Sequence, residues 1–432
     1  MAIKELTKIE FDAFASKHEQ ANFHQTTNWG ELKKLTGWVP HLLGYYKEDQ
    51  LVAGGLFLSK STPLGKDVFY SPRGFLIDYQ NRELVEEFVA ELKKYLRANN
   101  CMYLKIDPYV ICQQRDLDGK VVEGGIDNRP VVEHLKSLGF DHAGYNLHYE
   151  TLQPRWMFTT PTLGKTEEDL FKQMEPKTRQ LLRKNMRLGL KCREIEYDEI
   201  AKFQQIMAKT GDRREFFTRP VEYYQQMWNC MHDDGMFKIL FVELNTTELH
   251  DAYAKELAQF EKEYQERIDK RAKTKNVNEA KFQAKQQETQ NQIDRCKNKL
   301  VECDKLKEQY GEVITMGGIC FLIYGNEVLS LNGGTFEEFM NFQSAYTLHY
   351  EMVKYAADHG YQRYNFYGIT GDFENKDSQY GLYVFKRGFG GEVGELIGEF
   401  DLVVSPFTYK MFNLAYAVYQ KMKKIKHKLL GN

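Results

Sequence analysis

The chain has 432 residues, a length that indicates two or three folded units rather than a single core. Its 42% hydrophobic and 28% charged residues are typical of a folded soluble protein. The net charge is only −2, so an anionic partner must be bound by local basic patches and not by overall charge.

The cysteines and the hydropathy pattern indicate the compartment. Seven cysteines are scattered without a CxxC and without Cys/His spacing of the zinc type, which favours free thiols in a reducing cytoplasm and no metal site. The first 20 residues lack an apolar signal segment, and no window approaches the ~18 consecutive apolar residues of a membrane span. We therefore expect a cytosolic protein or one that is peripheral at a membrane.

Residues 1–150 have the element order of an α/β unit. The stretch 41–61, "HLLGYYKEDQLVAGGLFLSKS", predicts a β-hairpin, residues 81–100 predict an amphipathic helix, and "CMYLKID" (101–107) predicts a buried strand. Alternating strands and helices of this kind favour an α/β fold.

A second unit with similar elements begins near "LQPRW" (152–156). The sequence predicts helices over 167–188, 197–209, 220–232 and 343–359, and strands over 192–197, 237–244, 315–335 (a hairpin) and 362–368. Two units with similar elements suggest an internal duplication.

Residues 246–310 differ from both units, because they are rich in Lys, Glu and Gln and contain no proline. Apolar residues follow steps of three and four, which predicts two helices that fold back on each other at "KTKNVNEA" (273–280) as an antiparallel coiled-coil arm. The stripe consists of Leu257, Phe260 and Tyr264 on one helix and Phe282, Ile293, Cys296, Leu300, Cys303 and Tyr310 on the other. Strands flank the arm, so it is predicted to be an insertion; a solvated helical spacer is the alternative.

The helix predicted over 167–188 carries a row of basic residues on one face. These residues are Arg179, Arg183, Lys184 and Arg187. Glu175 is the only acid between residues 172 and 193, whereas solvated faces usually mix signs. The row favours a partner with phosphates in series, and a solvated helix face is the alternative.

Two further stretches carry cations next to helices. Arg219 precedes Pro220, which is predicted to open a helix, and Tyr223 follows; an arginine here points at whatever the helix N-terminus binds, or forms a structural salt bridge. The C-terminal residues 409–432 predict a basic amphipathic helix, which favours an anionic bilayer or nucleic acid. Its apolar positions are Met411, Leu414, Val418, Met422, Ile425 and Leu429, and its basic positions are Lys421, Lys423, Lys424, Lys426 and Lys428.

The stretch "YVFKRGFGG" (383–391) predicts a short strand that delivers Lys386 onto a glycine-rich turn. By itself it indicates no more than a solvated lysine. The sequence also contains no GxxxxGK[ST], HExxH, GxSxG or strand-following GxGxxG, and no Q/R-x-x-G-x-G/A turn for coenzyme A. We therefore expect no nucleotide cofactor.

Eight stretches in order resemble the Fem aminoacyltransferases (FemA, FemB, FemX and MurM type), which build the interpeptide bridge of peptidoglycan. They are "FHQTTNWGELKKLTGW" (23–38), "YSPRGFLIDY" (70–79), "YLKIDPY" (103–109), "LGFDHAG" with "LQPRW" (138–156), "NMRLGLKC" (185–192), "NGGT" (332–335), "YNFYGITGDF" (364–373) and "FKRGFGG" (385–391). The resemblance covers almost the whole chain, and the predicted arm lies where FemA-like members carry theirs.

The resemblance implies two GNAT-like folds in tandem, an α/β (α+β) architecture with an inserted antiparallel coiled-coil arm. The expected division places the first GNAT-like domain at 1–150, completed by 391–432, the second at 151–390, and the arm at 246–310. Family members transfer an amino acid from aminoacyl-tRNA to a stem-peptide amine of a cell-wall precursor, which explains the missing coenzyme A turn.

The resemblance also implies roles for single residues. Lys33, in the segment of Trp29, matches the lysine that contacts the precursor's diphosphate region, and Arg219 with Tyr223 matches the pair that clamps the same group. Lys34 follows Lys33 directly, so this contact could move by one residue; "SPRGF" in place of "SPRGP" leaves the surroundings of Arg73 open.

Phe385 and Lys386 match the Phe-Lys pair of the family's turn, in which the lysine faces the reacting ester. Aminolysis of an ester builds negative charge on oxygen, and a fixed cation there stabilises the transition state by ~3 kcal/mol. Lys386 is the candidate cation, with Phe385 as its apolar backing and the glycines leaving room for a large ester. Asp107 is a candidate general base or a turn cap, and a tRNA phosphate or hydroxyl is the alternative base.

The partners implied are aminoacyl-tRNA at the basic helix and arm, lipid II or UDP-MurNAc-pentapeptide as acceptor, and an anionic inner leaflet at the lysine-rich tail. The sequence leaves open whether the arm packs within the chain or pairs subunits in a homo- or hetero-dimer. Two other functions are consistent with the same residues: a GNAT-like enzyme that aminoacylates a lipid or a protein, and a non-catalytic adaptor that binds tRNA or membrane.

Overall fold

The computed structural model describes residues 2–273, 278–376, 378–415 and 422. Its strands are β1 (Ala2–Glu5), β2 (Val39–Lys47), β3 (Gln50–Ser61), β4 (Asp67–Ser71), β5 (Cys101–Ile106), β6 (Ile111–Arg115), β7 (Phe140–His142), β8 (Trp156–Pro161), β9 (Leu190–Glu194), β10 (Phe237–Asn245), β11 (Val313–Tyr324), β12 (Glu327–Thr335), β13 (Arg363–Gly368), β14 (Glu392–Leu396) and β15 (Phe400–Val403).

The helices lie between these strands along the chain. They are α1 (Lys8–Ala15), α2 (Thr27–Lys34), α3 (Arg82–Ala98), α4 (Arg129–Ser137), α5 (Glu167–Gln173), α6 (Pro176–Arg187), α7 (Ile200–Arg214), α8 (Val221–Met231), α9 (Thr246–Lys273), α10 (Glu279–Tyr310), α11 (Ala345–Asp358) and α12 (Ser378–Arg387), with 3₁₀ turns at Tyr197–Glu199 and Glu337–Phe342. Helices α9 and α10 form the arm.

The two sheets share a unit in which a helix connects two parallel strands. One sheet has the order β1-β2-β3-β4-β5-β15-β7 and the other the order β6-β14-β8-β13-β12-β11-β10-β9. In the first sheet α3 connects the parallel pair β4 and β5, and in the second α11 connects the parallel pair β12 and β13. The hairpins, the helix at 81–100 and the α/β order predicted from the sequence are confirmed.

The chain crosses between the sheets at both ends. Strand β6 leaves the first half and pairs with β14 in the second sheet, and β15 returns to pair with β5. The return therefore falls between Leu396 and Phe400. The division at residues 150 and 390 stays a prediction, because strand pairing alone does not define a domain.

Helices α2 and α8 join the two halves and run antiparallel. At one end the Asn28 side chain donates to Asp234 at 2.7 Å, and at the other Lys33 lies beside the ring of Tyr223. Trp29 and Leu32 of α2 pack into one buried cluster with residues of α7 and α8. This packing fixes the C-terminus of α2 next to the N-terminus of α8.

The arm forms as predicted, from α9 and α10, each about 42–48 Å long at 1.5 Å per residue. The predicted reversal at 273–280 includes residues 274–277, which lie outside the described residues. Polar side chains enter the seam: the Arg267 guanidinium donates to the Thr289 hydroxyl at 2.6 Å, and Gln286 donates to the Tyr264 carbonyl.

Two predicted elements were wrong. The helix expected over 167–188 is divided, because Pro176 lacks an N–H and begins the separate helix α6. The run Tyr383–Phe385 lies in helix α12 and not in a strand: Tyr383 and Lys386 are buried three residues apart, while Leu382 and Val384 are exposed. A short apolar run does not distinguish the two structures by period.

Candidate functional site

Lys33, Trp29, Arg219 and Tyr223 come together where α2 and α8 meet. The Lys33 ammonium lies 4.1 Å from the centre of the Trp29 ring and 5.9 Å from that of Tyr223. The Arg219 guanidinium carbon lies 5.1 Å from the centre of the Tyr223 ring. Lys34 points away and pairs with Glu31 at 2.8 Å, so Lys33 is the lysine of this cluster.

The cluster has positive charge without a protein counter-ion. Among the residues that the structure describes, neither Lys33 nor Arg219 forms a salt bridge. Burial, and then the charge of Arg219, lowers the pKa of Lys33 to about 8. The buried indole N–H of Trp29 has no described acceptor. Two cations at the N-terminus of α8 fit a dianionic group such as a diphosphate.

Asp107 lies after β5, in contact with the loop that follows β4. Its carboxylate accepts the Arg73 backbone N–H at 2.6 Å and the Tyr70 hydroxyl at 3.1 Å. Burial raises the pKa of Asp107 to about 6, against the lowering effect of the Arg73 charge. Arg73 has a φ of 54°, so this hydrogen bond holds a residue in a conformation that is rare for side chains other than glycine.

A buried polar network links the segment after β5 to the second sheet. Glu327, at the start of β12, accepts from the Tyr109 hydroxyl at 2.9 Å and from the Arg363 guanidinium at 2.9 Å. The Asn365 amide donates to the same carboxylate at 3.1 Å. The network fixes the first half of the chain against the parallel pair β12 and β13.

Strands β12 and β13 part at their carboxyl ends. Their pairing stops at Leu329 and Asn365, although both strands continue beyond it. The ladder of β13 with β8 shifts register between Asn365 and Gly368, and Tyr367 in this bulge has a φ of 64°. Open carboxyl ends of parallel strands are a usual place for a ligand in α/β folds.

Lys386 lies at this opening and is buried. Its ammonium donates to the Gly368 carbonyl oxygen at 2.5 Å. Burial lowers the pKa of Lys386 to about 7, so its charge is sensitive to pH in the physiological range. A buried amine of this kind is typical of functional sites.

Phe385 and His349 form the wall behind Lys386. The ring of His349 lies 5.3 Å from that of Phe385, and its Nδ1 is 2.7 Å from the Tyr364 hydroxyl. Burial and the nearby Lys386 charge lower the pKa of His349 to about 3, which keeps it neutral. Phe385 packs on His349, and its role as apolar backing for Lys386 stays a prediction.

The glycines after Lys386 do not leave room for a substrate, contrary to the sequence-based expectation. A Cβ on Gly388 would lie 2.4 Å from the Thr178 hydroxyl, and one on Gly391 would lie 2.1 Å from the Thr159 carbonyl. The Gly388 carbonyl also accepts the Glu175 backbone N–H at 2.9 Å. These glycines allow close packing of α12 on α6 and β8.

The four basic residues predicted for tRNA lie on α6 in different surroundings. Arg187 pairs with Glu256 of the arm at 2.9 Å, Arg183 lies over the Phe171 ring, and Arg179 donates to a carbonyl of α5. Lys184 and Arg187 line a cleft of about 1400 Å³ between α6 and the base of the arm. The row of basic residues on α6 thus reaches the arm, where Glu256 neutralises the charge of Arg187.

Most of the predicted C-terminal amphipathic helix, residues 416–421 and 423–432, lies outside the described residues. Residues 406–415 are helical, and Met411 and Leu414 are exposed. In the part of the chain that the structure describes, no helix has the length and apolar character to cross a membrane.

Sequence reasoning missed Tyr109, Glu327, His349 and Tyr367. Tyr109 and Tyr367 lie in stretches that carried the family resemblance, so a role could have been sought there. Glu327 and His349 have no local signal, because only the packing of β12 and α11 brings them to the site.

Known proteins are similar to this chain over almost its whole length. The FemAB family model matches residues 6–417. The aminoacyltransferase FemA of Staphylococcus aureus (strain N315) is 30% identical over 99% of this chain and 100% of its own length, and FemA of strain COL is equally similar. A crystal structure of FemX, 28% identical, superposes with a TM-score of 0.77 over 95% of this chain and 99% of that chain.

The match to FemX runs through both sheets and confirms the tandem GNAT-like architecture predicted from the sequence. The chain therefore belongs to the FemAB family of Fem-type aminoacyltransferases.

Proposed function

We propose that this protein transfers an aminoacyl group from aminoacyl-tRNA to a stem-peptide amine of a peptidoglycan precursor of the lipid II type. One observation carries the proposal: Tyr367 connects a pair of cations, which form no salt bridge among the described residues, with a buried lysine. Tyr223 contacts both Lys33 and Arg219, and Tyr367 lies among Tyr223, Arg73 and Asp107. Tyr367 precedes Gly368, which binds Lys386.

The acceptor end suits a diphosphate. Lys33 and Arg219 would each donate hydrogen bonds to phosphate oxygens. The bound anion would offset the repulsion between the two cations and so favour the charged form of both. A diphosphate joins the sugar to the carrier in both lipid-linked and nucleotide-linked precursors. Fixing it there would extend the stem peptide along the surface towards the opening between β12 and β13.

At the other end Lys386 stabilises the developing oxyanion. The acceptor nitrogen attacks the ester carbon, a C–N bond forms, the C–O bond to the tRNA ribose breaks, and the ribose oxygen leaves with a proton. The Lys386 ammonium, which now donates to Gly368, would donate to the ester oxygen as negative charge accumulates. The wall formed by Phe385 and His349 strengthens this interaction by excluding water.

Asp107 fits a positioning role better than that of a general base. One of its oxygens accepts from Arg73 and the other from Tyr70, and the side chain is buried. We propose that Asp107 holds the loop carrying Arg73 and that the proton passes to the tRNA's own ribose oxygen or phosphate.

The donor side would use α6 and the arm. Arg183 and Lys184 are exposed on α6, and the neighbouring cleft is lined by both basic and acidic residues of the arm. Exposed cations in a row along a helix suit the regular phosphates of an RNA stem. The reaction would take place at the cytoplasmic face of the inner membrane, where both substrates meet.

Transfer of radiolabelled Gly, Ala or Ser from charged tRNA to lipid II tests the proposal. Labelled lipid II is expected with at least one of these amino acids. Absence of transfer with a full aminoacyl-tRNA pool, together with absence of tRNA binding, would refute it. Transfer to another lipid or to a protein would support the alternative GNAT-like activity. For Lys386→Met, retained tRNA binding with abolished transfer supports an enzyme, whereas no functional change supports the adaptor.

A further inference from the structure

Three apolar side chains are exposed around the cation pair. Leu35 follows α2 directly, and Phe216 and Phe217 precede Arg219 in the loop between α7 and α8. Their exposed fractions are 56%, 44% and 84%. We call Leu35, Phe216 and Phe217 the apolar rim.

The rim is one surface because α2 and α8 are antiparallel. Lys33 at the end of α2 and Arg219 before α8 both contact the ring of Tyr223. Leu35 lies two residues after Lys33, and Phe217 lies two residues before Arg219. The apolar side chains thus lie within three residues of the two cations, on the same two segments of chain.

The charge around the rim is positive. The two segments that form it, residues 33–39 and 213–219, contain five basic residues and one acid, and one of the five, Lys34, pairs with Glu31. The basic residues are Lys33, Lys34, Arg213, Arg214 and Arg219, and the acid is Glu215. Exposed phenylalanines among cations fit the interface of an anionic bilayer, where rings enter the headgroup layer and cations meet lipid phosphates.

We propose that the apolar rim is a bilayer-contact surface that rests on an anionic leaflet. In this position Lys33 and Arg219 receive the diphosphate of a lipid-linked acceptor directly from the headgroup layer. This inference rests on the proposed function. In a lipid-linked diphosphate the phosphates lie at the membrane surface and the chain enters the bilayer immediately behind them. A protein that binds this diphosphate must therefore place the border of its site against the lipid.

Vesicle sedimentation with the full chain tests the surface. Phosphatidylglycerol–phosphatidylcholine vesicles are compared with pure phosphatidylcholine, for wild type, Leu35→Ser/Phe217→Ser and the control Leu163→Ser, which removes a leucine with 58% exposure after β8. The double variant is expected to lose about tenfold in partition to anionic vesicles, and Leu163→Ser to behave as wild type. Equal binding by the double variant and wild type overturns the proposal.

A second variant reports insertion directly. Phe217→Trp is expected to show a blue-shifted difference spectrum against wild type on anionic vesicles, with quenching by brominated lipid. No shift and no quenching would overturn the proposal even if the double variant misfolds.

Transfer assays separate this inference from the proposed function. The double variant is expected to lose transfer to a lipid-linked acceptor in vesicles while keeping transfer to a nucleotide-linked, water-soluble acceptor within about twofold. An equal loss with both acceptors would show that the rim belongs to the acceptor pocket and would overturn the bilayer assignment. If wild type transfers to neither acceptor, the proposed function fails, and the sedimentation result still decides whether the rim binds lipid.

Discussion

The Lys386 ammonium donates to the carbonyl oxygen of Gly368 at 2.5 Å, which connects helix α12 to the bulge at the end of β13. Burial lowers the pKa of this lysine to about 7, so the native fold keeps an amine whose charge is poorly solvated. The hydrogen bond to Gly368 therefore adds little to the stability of the fold. In the proposed reaction, a negatively charged transition state would bind the ammonium more strongly than this carbonyl does.

Lys386→Met is expected to reduce kcat by at least ~100-fold, because the variant loses the cation that we propose stabilises the ester oxygen. The melting temperature should stay within a few degrees of wild type, since methionine fills the same space without a buried charge. Arg387→Met is the matched control: it removes partly exposed ion pairs with Asp118 and Glu175 and should keep most of the activity. An equal loss of activity in both variants would contradict the role of Lys386.

The pH dependence should report the charge of Lys386. We expect the ratio of kcat/KM for wild type to that for Lys386→Met to fall as pH rises above about 7, because the protonated lysine is the active form. Taking the ratio cancels ionisation of the acceptor amine, which affects both proteins equally. A ratio that rises with pH would mean that the neutral amine acts as a base.

Lys33→Met and Arg219→Met are each expected to raise the KM for the diphosphate acceptor by about 10–100-fold, with a smaller effect on kcat, because each removes a charge-assisted hydrogen bond. Lys34→Met is the control, since Lys34 pairs with Glu31 on the surface. Steady-state kinetics at fixed aminoacyl-tRNA measures both constants. Unchanged KM in both variants would place the diphosphate elsewhere.

Asp107→Asn is expected to lower kcat by less than about tenfold, because the amide oxygen can still accept the Arg73 backbone N–H. Asp107→Ala should cost about 1–3 kcal/mol of unfolding free energy, since that buried N–H loses its acceptor. Denaturant titration and single-turnover rates check the two variants. A loss of 10²–10⁴-fold for Asp107→Asn would instead identify Asp107 as the general base.

Arg183→Gln/Lys184→Gln is expected to weaken tRNA binding and to reduce the slope of log K against log salt by about one to two, because each cation neutralises about one phosphate. Lys94→Gln/Arg97→Gln on α3 removes two exposed cations from the other half of the chain. The α3 double variant is the control, and filter binding of tRNA over a salt series measures the slope for both double variants. The same slope in both double variants would exclude α6 from the tRNA interface.

Local patterns predicted most of the secondary structure. The coiled-coil arm followed from steps of three and four residues, and the hairpin at β2 and β3 followed from its strand pattern. Where the pattern was short, prediction failed: "YVFKR" has too few residues to separate a helical from an extended period, and Pro176 divided a helix that charge periodicity alone had made continuous.

The sequence by itself determined the α/β class and the inserted arm, and through ordered motifs it predicted roles for Lys33, Arg219 and Lys386. These depend on residue type and spacing along the chain. Only the tertiary structure decided that Lys386 is buried against Gly368, that Glu327 contacts Tyr109 and His349 contacts Phe385, and that the glycines serve packing. Burial, and the pKa values it shifts, depend on contacts between residues far apart in sequence, which no local pattern records.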